Sequence, residues 1–266
     1  RSGDQADEPF TEEELAAIES AWESYAPVEP TFERLLANPP YPLFYEQYTT
    51  PVPSLNRFRN LCFIHILKAR MLLDEGEDPR PLLNRAITFI DQYYRSSSST
   101  IDFMVTQVGY RFLLSNFSDD YLAQLPEARE TLQFWKSTWR EKLDVALKLE
   151  FFLLYNEIGE IEAAPSKVIF GDASNALGPF FMNFLFKPNQ TFNAYWSYMV
   201  RLGKAVQEDD TEKLDAIEAE ILQLSENQDW TNLLGDRLLS MTLLNVREIY
   251  EKSIELEEEI NPVLDS

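Results

Sequence analysis

The chain has 266 residues, 45 of them Asp or Glu and 23 Lys or Arg, which gives a formal net charge of -22, with a single histidine, His65, and a single cysteine, Cys62. That field repels a phosphate backbone, and no run of Lys or Arg interrupts it to form a basic groove, so nucleic acid is excluded as a partner; anionic lipid is disfavoured, while cationic peptides, polyamines and divalent ions are attracted. With 45% hydrophobic and 13% aromatic residues the chain can bury a large core, and 8 Gly against 15 Pro argues against a turn-rich β architecture or a Gly-rich nucleotide-binding sheet, which leaves helices.

Residues 1–10 are polar, begin without Met and read as a flexible linker or tag remnant, with a membrane anchor upstream the favoured context. Thr11-Glu12-Glu13-Glu14 has capping-box spacing, and Leu15, Ile18, Ala21 and Trp22 follow at helical intervals, predicting a helix to about Tyr25. From Ala26 to Pro53 prolines crowd among Tyr41, Phe44, Tyr45 and Tyr48, which predicts an extended connector with one short helix at Phe32 to Ala37. Ser54 is placed to cap a helix that ends at Gly76. Pro79 and Pro81 then suit the first turn of a partner helix running to about Tyr94.

The serine run 96–99 breaks the pattern before a core helix from Ile101 to Phe117, and Ser118 or Asp119 opens a short one. Pro126 starts the longest periodic stretch, with Leu132, Trp135, Trp139, Leu143, Leu147, Phe151 and Leu154 at intervals of three and four, to about Tyr155. Periodicity weakens over 159–188, read as a loop region holding Pro165, Gly171, Gly178 and Pro179. Helices then resume at Asn189 to Glu208, Thr211 to Ser225 and Asn232 to Glu259, with Asp209-Asp210 as a tight joint. No apolar run reaches the roughly 18 to 20 residues that span a bilayer, the densest being Phe180 to Phe186.

Lys68-Ala69 and Lys204-Ala205 each precede an acidic joint and a second helix, and each pair resembles a tetratricopeptide-type hairpin of about 40 residues, although Pro81 stands where that family packs a small helical residue and the tandem period of about 34 residues is missing. The segments Leu72-Leu73-Asp74-Glu75-Gly76, Phe186 to Asn193 and Asn232 to Leu239 are similar to segments of uncharacterised bacterial helical proteins with an N-terminal membrane anchor. That resemblance implies an extracytoplasmic, periplasmic domain and no particular activity.

One histidine cannot serve a conventional nucleophile system unless it is the base itself, and it cannot supply the two Glu-x-x-His copies of a di-iron bundle. Cys62 and His65 share a helical face among Leu61, Phe63, Ile64 and Ile66, which favours packing over a redox or metal pair; zinc sites want three or four ligands. After Asp119-Asp120 the third carboxylate of a magnesium-binding prenyl-transfer motif is replaced by Ala123. No phosphate-binding Gly-rich loop or Ca²⁺ loop occurs, Asp172, Ser174 and Asn175 read as turn residues, and no cofactor or metal is called for. A glycosidase-like pair about 5 to 9.5 Å apart leaves no local sequence trace, so neither Glu150 nor Glu157 can be singled out.

These readings combine into one all-α domain over residues 11–266, a helical bundle or curved stack of hairpins with about eight or nine helices. Its expected role is a non-enzymatic interaction or scaffold module for a protein or peptide partner, bound through aromatics outside the periodic helices: Tyr41, Phe44, Tyr45, Tyr48, Phe180, Phe181, Phe184 and Phe186. The alternatives are a carboxylate-dependent hydrolase or lyase and a self-assembling structural protein.

Overall fold

The computed structural model describes residues 9–37, 55–163, 186–226, 232, 235–236, 239, 243 and 246–266, and no strand occurs among them. The protein is all-α, and no described helix is long and apolar enough to cross a membrane. The chain falls into two compact units, one of Arg1–Leu43, Val52–Trp139 and Lys252–Ser266, the other of Phe44–Pro51 and Arg140–Glu251.

The first unit opens with α1 (Glu12–Tyr25), whose N-terminus is closed reciprocally: the Glu14 amide donates to Thr11 Oγ1 at 3.3 Å and the Thr11 amide donates to Glu14 Oε2 at 2.8 Å. A 3-10 turn over Ala26–Val28 leads into α2 (Glu29–Ala37), so the expected extended connector is helical as far as Ala37. Pro27 and Pro30 both fall in first-turn positions, where a missing N–H forfeits no intrahelical bond. Burial of Phe32, which has no exposed surface, rewards that helix.

α3 (Leu55–Asp74) packs on α1, on α4 (Arg80–Ser96) and on α5 (Thr100–Leu114). It ends where Gly76 takes φ 78°, with the Gly76 amide donating to Leu73 O at 3.1 Å and the Glu77 amide to Leu72 O at 2.8 Å, the crossed pattern of a Schellman cap. Ser99 caps α5 by accepting from the Asp102 amide at 3.1 Å. α5 stops at Leu114 rather than at Phe117, because the Asn116 amide turns back to Leu113 O at 3.2 Å, yet Phe117 is still fully buried and so prolongs the apolar pattern. After short α6 (Asp119–Ala123) comes α7 (Pro126–Ala163), which continues through Gly159 and past the expected end near Tyr155.

Trp135 and Trp139 of α7, stacked at 6.0 Å, fill this unit's core with Ile66, Leu83, Ile90, Tyr94, Phe103 and Tyr110. The end of α10 (Val246–Asp265) closes it: Trp139 Nε1 donates to Glu257 Oε2 at 2.8 Å, and Arg129 covers the last carbonyls by donating to Leu264 O at 3.0 Å. α10 runs beyond the expected Glu259. Pro262 falls in its last turn and forfeits one bond, while Ile260 and Val263 remain buried.

The second unit contains α7 from Arg140, α8 (Pro188–Glu208), α9 (Thr211–Glu226) and α10 as far as Glu251. Leu143, Leu147, Tyr195, Met199, Leu202, Val206, Leu214, Ile217, Ile221 and Ile249 form its core. The α8–α9 joint repeats the cap of α3 without glycine. Asp209 takes φ 57°, its amide donates to Val206 O at 3.3 Å, and the Asp210 amide donates to Ala205 O at 3.0 Å. Asn232, expected to open the last helix, sits at a buried bend just before helical Gly235 and Asp236, with the Asp236 amide donating to its carbonyl at 3.0 Å, and its Oδ1 also accepts from the Lys187 amide at 2.9 Å at the start of α8.

Candidate functional site

Over Phe151 to Tyr155 every residue of α7 is apolar or aromatic, so a neighbour on one side alone leaves part of the run uncovered. Phe151 turns towards α8, its ring centroid 6.0 Å from Tyr195, 6.2 Å from Phe192 and 4.9 Å from Trp196. Tyr195 is fully buried and roots the cluster in the core of the second unit. Outside it, Tyr155 lies 4.8 Å from Phe192, and Phe152 lies 5.7 Å from Phe151. Phe152 is 57% exposed, Tyr155 54% and Trp196 43%, with Val200 one turn beyond Trp196 also exposed. Rings of this size are ordinarily buried, so three of them exposed in one connected cluster make a surface that gains by being covered.

The eight aromatics expected to form a binding surface are placed as follows. Phe186 is buried beside the start of α8, while Tyr41, Phe44, Tyr45, Tyr48, Phe180, Phe181 and Phe184 lie outside the described residues. The exposed cluster was hidden inside regular helix. Phe151 counted as one more member of the periodic stripe, and the usable signal was Phe152, which breaks that stripe by putting a second large ring about 100° round the helix.

Several other described groups that could carry chemistry are engaged in structure. Cys62 is fully buried, which pushes its thiol pKa up. His65 is fully buried between Trp22, Tyr25 and Phe32, with ring centroids at 5.5, 4.9 and 4.4 Å. Its Nδ1 lies 2.8 Å from Leu61 O, and since a carbonyl only accepts, Nδ1 carries the proton. Desolvation lowers the His65 pKa, partly opposed by that bond, so the neutral ring is the stable form.

Buried Asp102 accepts from Tyr93 Oη at 2.7 Å and from Ser99 Oγ at 2.9 Å, and buried Asp144 accepts from Lys148 at 2.6 Å and from Gln207 at 2.7 Å. Two carboxyls are shifted upward by desolvation, Asp119 with help from Asp120 and Glu259 against the pull of Arg111; each answers to its own surroundings and not to the other. A shallow concavity of about 470 Å³ on α8 and α9 is lined by Tyr198, Glu220, Gln223, Leu224 and Glu226. Arg201 grips Glu220 there with two bonds of 2.7 Å, which holds that carboxyl below its ordinary pKa and leaves it no proton to give near neutrality. Among the described residues no group of three or more His, Cys, Asp or Glu is placed to hold a metal ion.

Fold and surface together define an all-α protein with an exposed aromatic face on its second unit. Comparison with known proteins adds no relative: no protein-family model, curated protein or solved structure matches the chain.

Proposed function

We propose that the chain is a non-enzymatic interaction module that docks a protein partner on the aromatic face of α7 and α8. The observation that carries this reading is the exposure of Phe152, Tyr155 and Trp196 in one ring cluster anchored by buried Tyr195. Large rings are the residues that dominate interface energies, because they bring much contact area at little cost in side-chain entropy. Covering one such ring contributes about 1.5–3 kcal/mol. The engagement of Asp102, Asp144 and Glu220 in caps and ion pairs supports the non-enzymatic side of the reading.

The test is selection of binders from a displayed random-peptide library, followed by titration of the enriched peptides against the native chain and a Phe152→Ser/Trp196→Ser variant. Both side chains are exposed, so the variant keeps its helicity by circular dichroism. Enriched peptides should lose at least about tenfold in affinity for the variant. Peptides that bind the variant as tightly, or a library that yields no binder, overturn the proposal.

A further inference from the structure

The described cations of this acidic chain are largely committed to its own carboxylates. In the second unit Arg140 pairs with Asp209, Lys148 with Asp144, Arg201 with Glu220, Lys213 with Glu208 and Asp210, and Arg247 with Asp215 and Glu251. Along the aromatic face the sequence brings no positive charge: from Leu149 to Ala163 it holds Glu150, Glu157, Glu160 and Glu162 and no Lys or Arg, and from Pro188 to Val200 it holds no charged residue.

Elsewhere the protein's own arginines lie against aromatic rings. The Arg95 guanidinium is 3.7 Å from the centre of Phe134, that of Arg201 is 5.5 Å from Tyr198, and that of Arg59 is 6.0 Å from Phe63. No described cation lies over Phe151, Phe152, Tyr155, Phe192 or Trp196. Phe152, Tyr155 and Trp196 therefore present negative π faces to solvent on a chain of net charge -22.

We infer that the occupant of this face is a cationic segment of a partner protein, its Arg or Lys side chains lying on the rings of Phe152, Tyr155 and Trp196 while its apolar residues cover the cluster. The inference rests on the docking reading above and adds the chemistry of the partner. Long-range attraction from the acidic chain speeds encounter, and the rings convert encounter into a held complex, since a cation near a ring and an acidic surface gains from both.

The test uses the full chain and three short synthetic peptides of one length: Arg alternating with Leu, and its Gln and Glu analogues. Each is titrated at low and at physiological ionic strength against the native chain and the variants Phe152→Ala, Trp196→Ala and Trp196→Phe. The Arg peptide should bind at least about tenfold tighter than the Gln analogue and weaken with salt. It should lose affinity with Phe152→Ala and Trp196→Ala and keep it with Trp196→Phe, which preserves a ring.

If the Gln analogue binds equally and is lost in the same variants, the docking face stands and its cationic specificity falls. If the Arg peptide binds all variants alike, attraction is to the acidic surface at large and the inference is overturned. Absence of binding by the Arg peptide overturns it as well.

Discussion

Asp209 occupies a left-handed conformation that costs a side chain with a Cβ about 1–2 kcal/mol, and it is the only non-glycine residue with positive φ among those described. Its carboxylate accepts from Tyr250 Oη and from Arg140 at 3.2 Å, and these bonds hold its pKa down, the tyrosine contributing most. Burial and the same bond push Tyr250 up to about 12. Asp209→Ala keeps the strained backbone and loses both bonds, whereas Asp209→Gly loses the bonds but relieves the strain. Urea unfolding should show Asp209→Ala about 1–2 kcal/mol less stable and Asp209→Gly close to the native chain. Equal losses in the two variants would mean that backbone strain at the joint is immaterial.

His65 carries a second prediction at this scale. Its folded pKa is lowered from the ordinary 6.5, so between the two values the unfolded chain holds the extra proton. The contribution to stability is complete above pH 6.5, declines as pH falls through that value, and stops changing below the folded pKa. His65→Phe puts a neutral ring of similar breadth among Trp22, Tyr25 and Phe32. The urea midpoint of that variant should fall less than that of the native chain on acidification from pH 7.5 into the range just below 6.5. Parallel curves would show that the site is wet enough for the ring to charge freely.

At the scale of elements, helix starts were readable where a local capping residue or proline did the work, as at Thr11, Pro79 and Pro126, while Ser99, read only as part of a breaker, turned out to be a cap. Ends set by packing were not readable. Phe117 prolongs an apolar pattern after the backbone has turned, and Pro262 stays helical because its neighbours are buried. The start of α8, expected at Asn189 and found at Pro188, is further held by Asn232, far along the chain, a partner that no spacing rule can reveal. Gly203, in the middle of α8, marks another contact between elements distant in sequence. A Cβ there would come within 2.0 Å of Asp144 Oδ1, so it marks the close approach of α8 to α7.

Gly203→Ala gains about 1 kcal/mol of helix propensity but must displace a buried carboxylate from its bonds to Lys148 and Gln207. The net effect should be a loss of about 1–3 kcal/mol, shrinking or reversing in an Asp144→Ala background, where propensity alone remains. Thermal unfolding of the four members of that cycle measures the coupling. Additive effects would place the contact outside the native ensemble.

For the whole molecule, composition established the helical class but not the surface that distinguishes it. The aromatics that stood out in the sequence were those outside regular periodicity, and of these only Phe186 is described, and it is buried. Phe152, Tyr155 and Trp196 sat inside well-formed helices, where periodicity is normally satisfied by a core. Whether a ring on a helix meets a neighbour or water depends on how α7 and α8 are rotated against each other, and that is a tertiary quantity.

Charge then decides what this face does when no partner is present. Two copies bringing their aromatic faces together would bury rings but oppose two chains of net charge -22. At low ionic strength and pH 7 the repulsion reaches about 30 Å at 0.01 M salt, falling to about 3 Å at 1 M. Sedimentation velocity should therefore give a monomer in dilute buffer and growing self-association as salt rises, with Trp196→Ala removing the salt-induced part. A native chain that already forms a Trp196-dependent oligomer in dilute buffer would show the face to be a self-assembly interface, because burial would then outweigh a repulsion that a cationic partner never has to overcome.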